Sequence, residues 1–320
     1  MNNFMTESIL NNSIKQRFVK DYRLPINLFN EPYFDYFLNL YDPHYQSKDR
    51  FQLLLNTLAP LNNSEEFFGL SHSLTSQIKE LISNSKSYKD FNNVDLNTNF
   101  KSKNIVSSQN IYIEPNLNKE LISIDLSKAN FNIFRLFGLQ EELNTPTYES
   151  LLKKFTNDDY FLQSKMIRQV IFGDLNPARQ QKIQKFIINE FCDKLQNEGL
   201  KLSSASSDEI IIENSHLNIQ EIQKILLQTP TEFHFFKIEP FSLKKIGNEH
   251  SFFVKESILD NGQSKTEFKN VPSHFFAQVY KEYIKQPLHE FDLLFYHDGY
   301  LSEFKETVFQ PKLTKKNKLK

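Results

Sequence analysis

The chain has 320 residues and a net charge of −1, and 39% of its residues are apolar, including 31 Phe and 13 Tyr. This length allows one large or two ordinary domains, and the balanced charge means that any nucleic-acid contact needs a local basic patch. The single Cys192 excludes a disulfide framework and a multi-cysteine zinc site, while the few glycines and the absence of GxxxxGK[ST] and GxGxxG argue against Gly-rich phosphate loops.

The sequence shows no membrane-targeting pattern. Its polar start, MNNFMTESILNN, lacks the apolar run of a signal peptide, and no stretch of about 18 apolar residues is present. We therefore expect no membrane contact and a soluble protein in the cytoplasm.

The first hundred residues predict mainly helices. Ser47 and Ser64 precede apolar patterns with helical spacing and are expected to cap them. The polar segment 85–107 predicts a loop. Two strands are then expected, NIYIEP and LISIDL, joined by a turn.

The second of these strands ends on a carboxylate. Ile122, Ile124 and Leu126 alternate with polar residues, so Asp125 is expected on the opposite face of the strand. Ser127 is placed to cap a helix that follows directly. Asp125 is therefore either a rigidly held metal ligand or a residue that starts a helix.

Strands and helices alternate from residue 119 to residue 240. A helix over 158–172 is followed by a second helix that begins at Pro177, a hairpin formed by LKLSSASSDEIIIE, a helix in LNIQEIQKILLQ and a strand in EFHFFKIEPFSL. This order is compatible with a ferredoxin-like β-α-β-β-α-β sheet, and the fold class is predicted as α+β, an antiparallel sheet with helices on one face and a helical N-terminal region. A further hairpin and helix follow, and the last ten residues form a basic tail.

A second group of carboxylates lies at the bend of the predicted hairpin. In a β-α-β-β unit this bend neighbours the end of the first strand, so Asp208 and Glu209 are expected close to Asp125. Clustered carboxylates repel unless a cation joins them, and Mg²⁺ or Mn²⁺ would suit hard oxygen ligands. Asp125 and Asp208 are thus candidate metal ligands, although SDE at a bend is also typical of a solvated turn.

A basic helix pair separates the two acidic segments. Lys165 and Arg168 are one helical turn apart and can face one anion together, such as a triphosphate. The alternative is an ordinary solvated helix face.

In residues 110–275 the sequence resembles the palm domain of template-directed nucleic-acid polymerases. ISIDLSKANFNIFR is similar to motif A, SSDEIIIE to motif C, and KMIRQVIFG to the finger helix of family A enzymes. The resemblance implies metal binding by Asp125 and Asp208, an auxiliary role for Glu209, and triphosphate binding by Lys165 and Arg168. It further implies sugar recognition by Asn130 or Phe131 and base stacking at Phe172.

The sequence departs from the polymerase pattern at several points. Ser207 stands where a histidine or aromatic residue usually precedes motif C, and Glu209 replaces the second acid of a DxD form. Asn130 at the sugar-selecting position leaves the choice between deoxy- and ribonucleotides open.

The resemblance implies a compact, viral-type DNA polymerase without an exonuclease, in which residues 1–110 form a helical region, 111–255 the palm with its basic helices, and 256–320 a thumb-like end. Its expected partners are a primer–template, nucleoside triphosphates and other replication proteins, and an infected host cell is one setting. The alternatives are a reverse transcriptase, RNA polymerase or primase-like enzyme, a nucleotide cyclase, or a catalytically degenerate palm with a structural role.

Overall fold

The computed structural model describes residues 9–101, 107–213, 218–247, 250–258, 262 and 264–309. The basic tail therefore lies outside the described residues. The α-helices are α1 (Asn12–Tyr22), α2 (Tyr33–Tyr45), α3 (Ser47–Leu58), α4 (Ser64–Asn84), α5 (Lys86–Asn93), α6 (Leu96–Asn99), α7 (Ala129–Asn132), α8 (Leu139–Leu143), α9 (Tyr148–Leu152), α10 (Asp159–Gln163), α11 (Lys165–Gly173), α12 (Pro177–Asn197), α13 (Ile219–Leu226) and α14 (Phe276–Tyr283).

Six antiparallel strands form the main sheet, in the spatial order β2-β3-β1-β4-β5-β6. They are β1 (Leu121–Leu126), β2 (Leu202–Ala205), β3 (Glu209–Glu213), β4 (Phe236–Ile246), β5 (Phe252–Ile258) and β6 (Ser264–Lys269). A separate hairpin joins β7 (Leu294–His297) to β8 (Tyr300–Glu303). The predicted α+β class is confirmed. The predicted hairpin is also present and is formed by β2 and β3.

The two faces of β1 have different surroundings. Ile122, Ile124 and Leu126 are buried in the main core, together with Ile187 and Phe191 of α12. Side chains alternate along a strand, so the odd-numbered residues point to the other face. There Leu121 belongs to a small apolar cluster with Ile111, Ile211, Phe241 and Leu243. Asp125 lies on this second face, as the alternation predicts.

The predicted strand NIYIEP does not form. Residues 110–113 are irregular, and a 3₁₀ turn follows at Glu114–Asn116. Both edges of β1 are already hydrogen-bonded, to β3 and to β4, so no edge of this strand is left for another partner. Ile111 instead covers part of the second face of the sheet.

The segment 85–107 was predicted as a loop, and this prediction was wrong for most of its length. Ser85 accepts a hydrogen bond from the Tyr88 N–H and caps α5, and Asp95 accepts one from the Asn97 N–H and caps α6. Phe91 anchors α5 in the core with no exposed surface. Such short helices bury too few apolar residues to show a clear helical period in the sequence.

Two other helix predictions need correction. Ser164 ends α10 and caps α11 through a hydrogen bond from the Ile167 N–H, so the helix predicted over 158–172 is two helices. Ser127 does not cap the segment after β1. Lys128 precedes α7 in a left-handed conformation (φ 45°), and α7 passes into a 3₁₀ helix that ends at Gly138.

The main core passes through all three predicted domain ranges. One cluster of buried side chains includes Ile9, Phe172 and Tyr280. The boundary predicted at residue 255 falls inside β5, whose ladders with β4 and β6 continue without interruption.

A buried carboxylate joins four helices at the N-terminal side. Asp21 has no exposed surface and accepts hydrogen bonds from Tyr160 Oη, Ser164 Oγ and, at 3.0 Å, Arg17 Nε. Arg17 also donates to Ser71 Oγ at 3.0 Å. The network therefore connects α1, α4 and α10 to the start of α11.

Replacing Asp21 by Ala is expected to lower the free energy of unfolding by about 3–5 kcal/mol, because the Arg17 charge and two hydroxyl groups lose their acceptor in a buried position. Urea denaturation would measure this change. Asp174→Ala is the control: this carboxylate is 63% exposed and pairs with Lys79, so less than about 1 kcal/mol is expected. Equal losses in the two variants would contradict a special role for Asp21.

Candidate active site

The candidate site lies where β1 ends on the second face of the sheet. Asp125 is paired in register with Glu209 on β3 and with Lys237 on β4. Residues directly opposite one another in an antiparallel pair share a face and approach closely. Two acidic side chains and one basic side chain therefore meet at this end of the sheet.

The bend between β2 and β3 is fixed directly beside this point. The Leu126 N–H donates to the Asp208 carbonyl oxygen at 2.8 Å, which extends the β1–β3 ladder to the bend. Ser206 Oγ accepts from the Asp208 N–H at 3.3 Å and the Glu209 N–H at 3.0 Å. The structure thus brings together Asp125, Asp208 and Glu209, the three carboxylates that were predicted to be neighbours.

Lysines neutralise two of these carboxylates. The Lys237 ammonium lies 3.8 Å from Asp125 Oδ2 and 3.1 Å from Glu239 Oε1. Glu209 Oε1 accepts from Ser123 Oγ at 2.5 Å and lies 3.2 Å from the Lys255 ammonium. The site is therefore a mixed cluster in which acids on β3 and β1 face lysines on β4 and β5.

The Asp125 carboxyl group is the most perturbed member of this cluster. Partial burial raises its pKa to about 6, and the charges of Glu209, Asp208 and Glu239 act in the same direction. The nearby Lys237 ammonium opposes them and lowers the pKa. The charged form of such a carboxylate is stabilised when a cation approaches it.

Among the described residues, no group of three His, Cys, Asp or Glu side chains is arranged to hold a metal. Mg²⁺ commonly uses one or two protein carboxylates and takes its remaining ligands from water and substrate phosphates. Asp125 and Asp208 are the two carboxylates that were predicted as such ligands.

The predicted anion-binding pair lies on α11. Partial burial lowers the pKa of Lys165, and the positive charges of Arg23, Lys265, Arg50 and Arg168 lower it further. The Arg168 guanidinium lies 5.8 Å from the centre of the Tyr148 ring. Lys165 and Arg168 therefore belong to a basic cluster that is larger than the sequence indicated.

The residues predicted to contact the sugar and base have different positions. Asn130 Oδ1 accepts from Gln184 Nε2 at 2.8 Å, which ties α7 to α12. The rings of Phe131 and Phe172 are fully buried and pack against each other, with centroids 6.2 Å apart. In this arrangement both rings form part of the core, so the proposed site omits them.

Sequence reasoning missed the lysines of the sheet. Lys237 and Glu239 alternate with Ile238 in the strand pattern, so their common face was detectable. Their position beside Asp125 depends on the β1–β4 register, which no local pattern in the chain specifies. Lys255 also contacts Glu209, although it lies on β5, and the strands β1 and β4 stand between β5 and β3 in the sheet.

Lys237→Gln is expected to raise the pKa of the Asp125 carboxyl above its value of about 6. The substitution removes the positive charge that counteracts the effect of burial on this pKa. NMR titration of the carboxyl carbon would measure the change. Lys244→Gln is the matched control, since Lys244 lies on the same strand but pairs with Glu256 on the opposite face. An unchanged pKa in the Lys237 variant would contradict the described electrostatics.

Asp125→Asn is expected to raise the free energy of unfolding at pH 7.5 by about 1–2 kcal/mol. The expected change is moderate because 34% of the side chain is exposed and solvent screens its charge. Because the folded-state pKa is raised, the carboxyl contributes stability below its unfolded pKa, and this contribution is lost as the pH rises through about 6. The advantage of the variant should therefore disappear near pH 4. Denaturation curves at both pH values test this, and an equal difference at the two would contradict it.

Within the described part of the chain, no helix is both long enough and apolar enough to cross a membrane. No protein-family model matches the sequence, and no curated protein matches it at a significant level.

Proposed function

We propose that the chain is a template-directed nucleotidyltransferase, in the form of a compact DNA polymerase without an exonuclease that acts in the cytoplasm, including that of a virus-infected cell. The observation that supports this proposal most is the junction of Asp125 with the Asp208–Glu209 bend, joined by the hydrogen bond from the Leu126 N–H to the Asp208 carbonyl. Two-metal phosphoryl transfer needs carboxylates brought together in this way.

The topology of the sheet supports the same proposal. The chain runs from β1 through helices to the β2–β3 hairpin, then through α13 to β4, and these four strands lie in the order β2-β3-β1-β4. This is the β-α-β-β-α-β arrangement of a ferredoxin-like sheet. The resemblance to polymerase palms implies that arrangement, with motif A on the first strand and motif C at the hairpin.

The proposed reaction joins a primer to a nucleotide. The 3′-oxygen attacks the α-phosphorus of a nucleoside triphosphate, the bond to the β-phosphate breaks, and pyrophosphate leaves while the hydroxyl proton is released. Bound Mg²⁺ or Mn²⁺ would polarise the phosphate and neutralise its developing charge. Asp125 and Asp208 hold that ion, and Glu209 is an auxiliary ligand.

The remaining assignments follow from the resemblance to polymerase palms. Lys165 and Arg168 hold the triphosphate through charge-assisted hydrogen bonds. Asn130, fixed by Gln184, is the proposed contact to the sugar. The partners are a primer–template and other replication proteins.

A non-catalytic palm is the second candidate, and a specific observation favours it. Lys237 and Lys255 already neutralise Asp125 and Glu209, so the carboxylate cluster does not need a metal to offset its charge. In this candidate the cluster has only a structural role, and the protein acts as an interaction subunit.

Primer extension with the purified protein separates these candidates. The assay uses Mg²⁺ or Mn²⁺ with DNA and RNA templates, each supplied with dNTPs or NTPs, so that polymerase, reverse transcriptase and primase-like activities are distinguished. Asp125→Asn and Asp208→Asn are expected to reduce the extension rate at least about a hundredfold, because metal positioning supplies most of the rate in phosphoryl transfer.

Glu213→Gln is the matched control, since Glu213 is on the same strand and face as Glu209 but pairs with Lys119 and Lys201 at the other end of β3. This variant should retain the wild-type rate. A wild-type protein that extends no primer, together with metal binding that is unchanged in the Asp125 and Asp208 variants, would favour the non-catalytic palm.

A further inference from the structure

A groove with basic edges lies between the N-terminal helices and α11. It has a volume of 510 Å³ and is lined by Val19, Lys20, Arg23 and Leu24 on one side and by Met166 and Gln169 on the other. Its lining combines aliphatic side chains with cations at the end of α1. Arg23 follows α1 in a left-handed conformation (φ 53°) and is exposed.

Further cations surround this groove. The Arg50 guanidinium of α3 lies 5.1 Å from the centre of the Tyr22 ring, next to Arg23 in the chain. Lys165 and Arg168 lie on α11, the helix that provides Met166 and Gln169. The charges of Arg23, Arg50, Arg168 and Lys265 all act on the Lys165 ammonium. We call the set Lys20, Arg23 and Arg50 the basic groove. Lys165 and Arg168, which are assigned above to the triphosphate, lie beside it on α11.

No residue of the basic groove forms a salt bridge with a carboxylate in the described part of the chain. The lysines on the second face of the sheet differ, since Lys237, Lys255 and Lys269 each pair with a glutamate. In a chain of net charge −1, this leaves a local excess of positive charge at one place. Clustered cations without counter-charges are typical of a surface that binds a polyanion.

From this arrangement we infer that the basic groove binds the phosphate backbone of a nucleic-acid strand, and that the N-terminal helices supply part of the surface through Lys20, Arg23 and Arg50. These three cations are spread over the end of α1 and α3, outside the pair on α11 that is assigned to the triphosphate, and this spread suits successive phosphates along a strand. The inference rests on the proposed function for the role of the strand, as primer or template, but the binding itself does not require catalysis.

Fluorescence anisotropy with labelled oligonucleotides of mixed sequence tests this inference. The measurement contains EDTA and no nucleotide, so it is independent of nucleotidyl transfer. Single-stranded DNA, duplex DNA and RNA are compared over a series of KCl concentrations. Each phosphate contact contributes about 0.7 to the slope of log K against log[KCl] for single strands and about 0.9 for duplexes.

The double variant Lys20→Gln/Arg23→Gln should lower that slope by about 1.4 on single strands and weaken binding roughly tenfold at low salt. Glutamine suits position 23, because Gln46 adopts the same left-handed conformation elsewhere in the chain. Lys201→Gln/Lys285→Gln is the control, since both lysines are exposed and paired with glutamates outside the groove. It should bind like the wild type, and thermal unfolding should show that all three proteins are folded.

Two outcomes would overturn the inference. One is an equal slope and affinity in the two double variants. The other is a loss of ATP binding in the Lys20/Arg23 variant while oligonucleotide binding is unchanged, which would make the groove a nucleotide site. Oligonucleotide binding that depends on the groove in a protein without polymerase activity would support the inference and argue against the proposed function.

Discussion

The register of β1 between β3 and β4 is the constraint on which the candidate site depends. Burial of Ile122 and Ile124 on the helical side forces Asp125 to the other face, because a shift of one residue would exchange the two faces. The same register then sets Glu209 and Lys237 on either side of it. Hydrophobic burial on one face thus determines which charges meet on the other.

The mixed charge of that face has an energetic consequence. Three carboxylates alone at the end of one strand would repel each other, whereas Lys237 and Lys255 provide neutralising charges within the sheet. The chain can therefore fold around an acidic cluster without a metal ion. The pKa of Asp125 is raised mainly by burial, and the charges of Glu209, Asp208 and Glu239 add to this effect while Lys237 opposes it.

The sequence predicted those features that depend on local pattern. The alternation in LISIDL predicted the strand and the direction of Asp125, and Pro177 marked the start of α12 correctly. The features it missed depend on pairing between distant segments. The segment NIYIEP has a strand pattern but finds no free edge of β1, and Lys255 or Arg50 joins its cluster through tertiary contacts that no short-range period encodes.

The buried contact between Phe131 and Phe172 joins the segment that follows β1 to α11. Phe131 lies six residues after Asp125 in the chain, and Phe172 lies on the same helix as Lys165 and Arg168. Both rings also lie near Tyr148, beneath Arg168. Close-packed interiors transmit strain, so a displacement of α11 would reach the segment that follows β1 through these rings. The Lys128–Glu149 ion pair lies beside the same contact, because the charge of Arg168 also acts on Glu149.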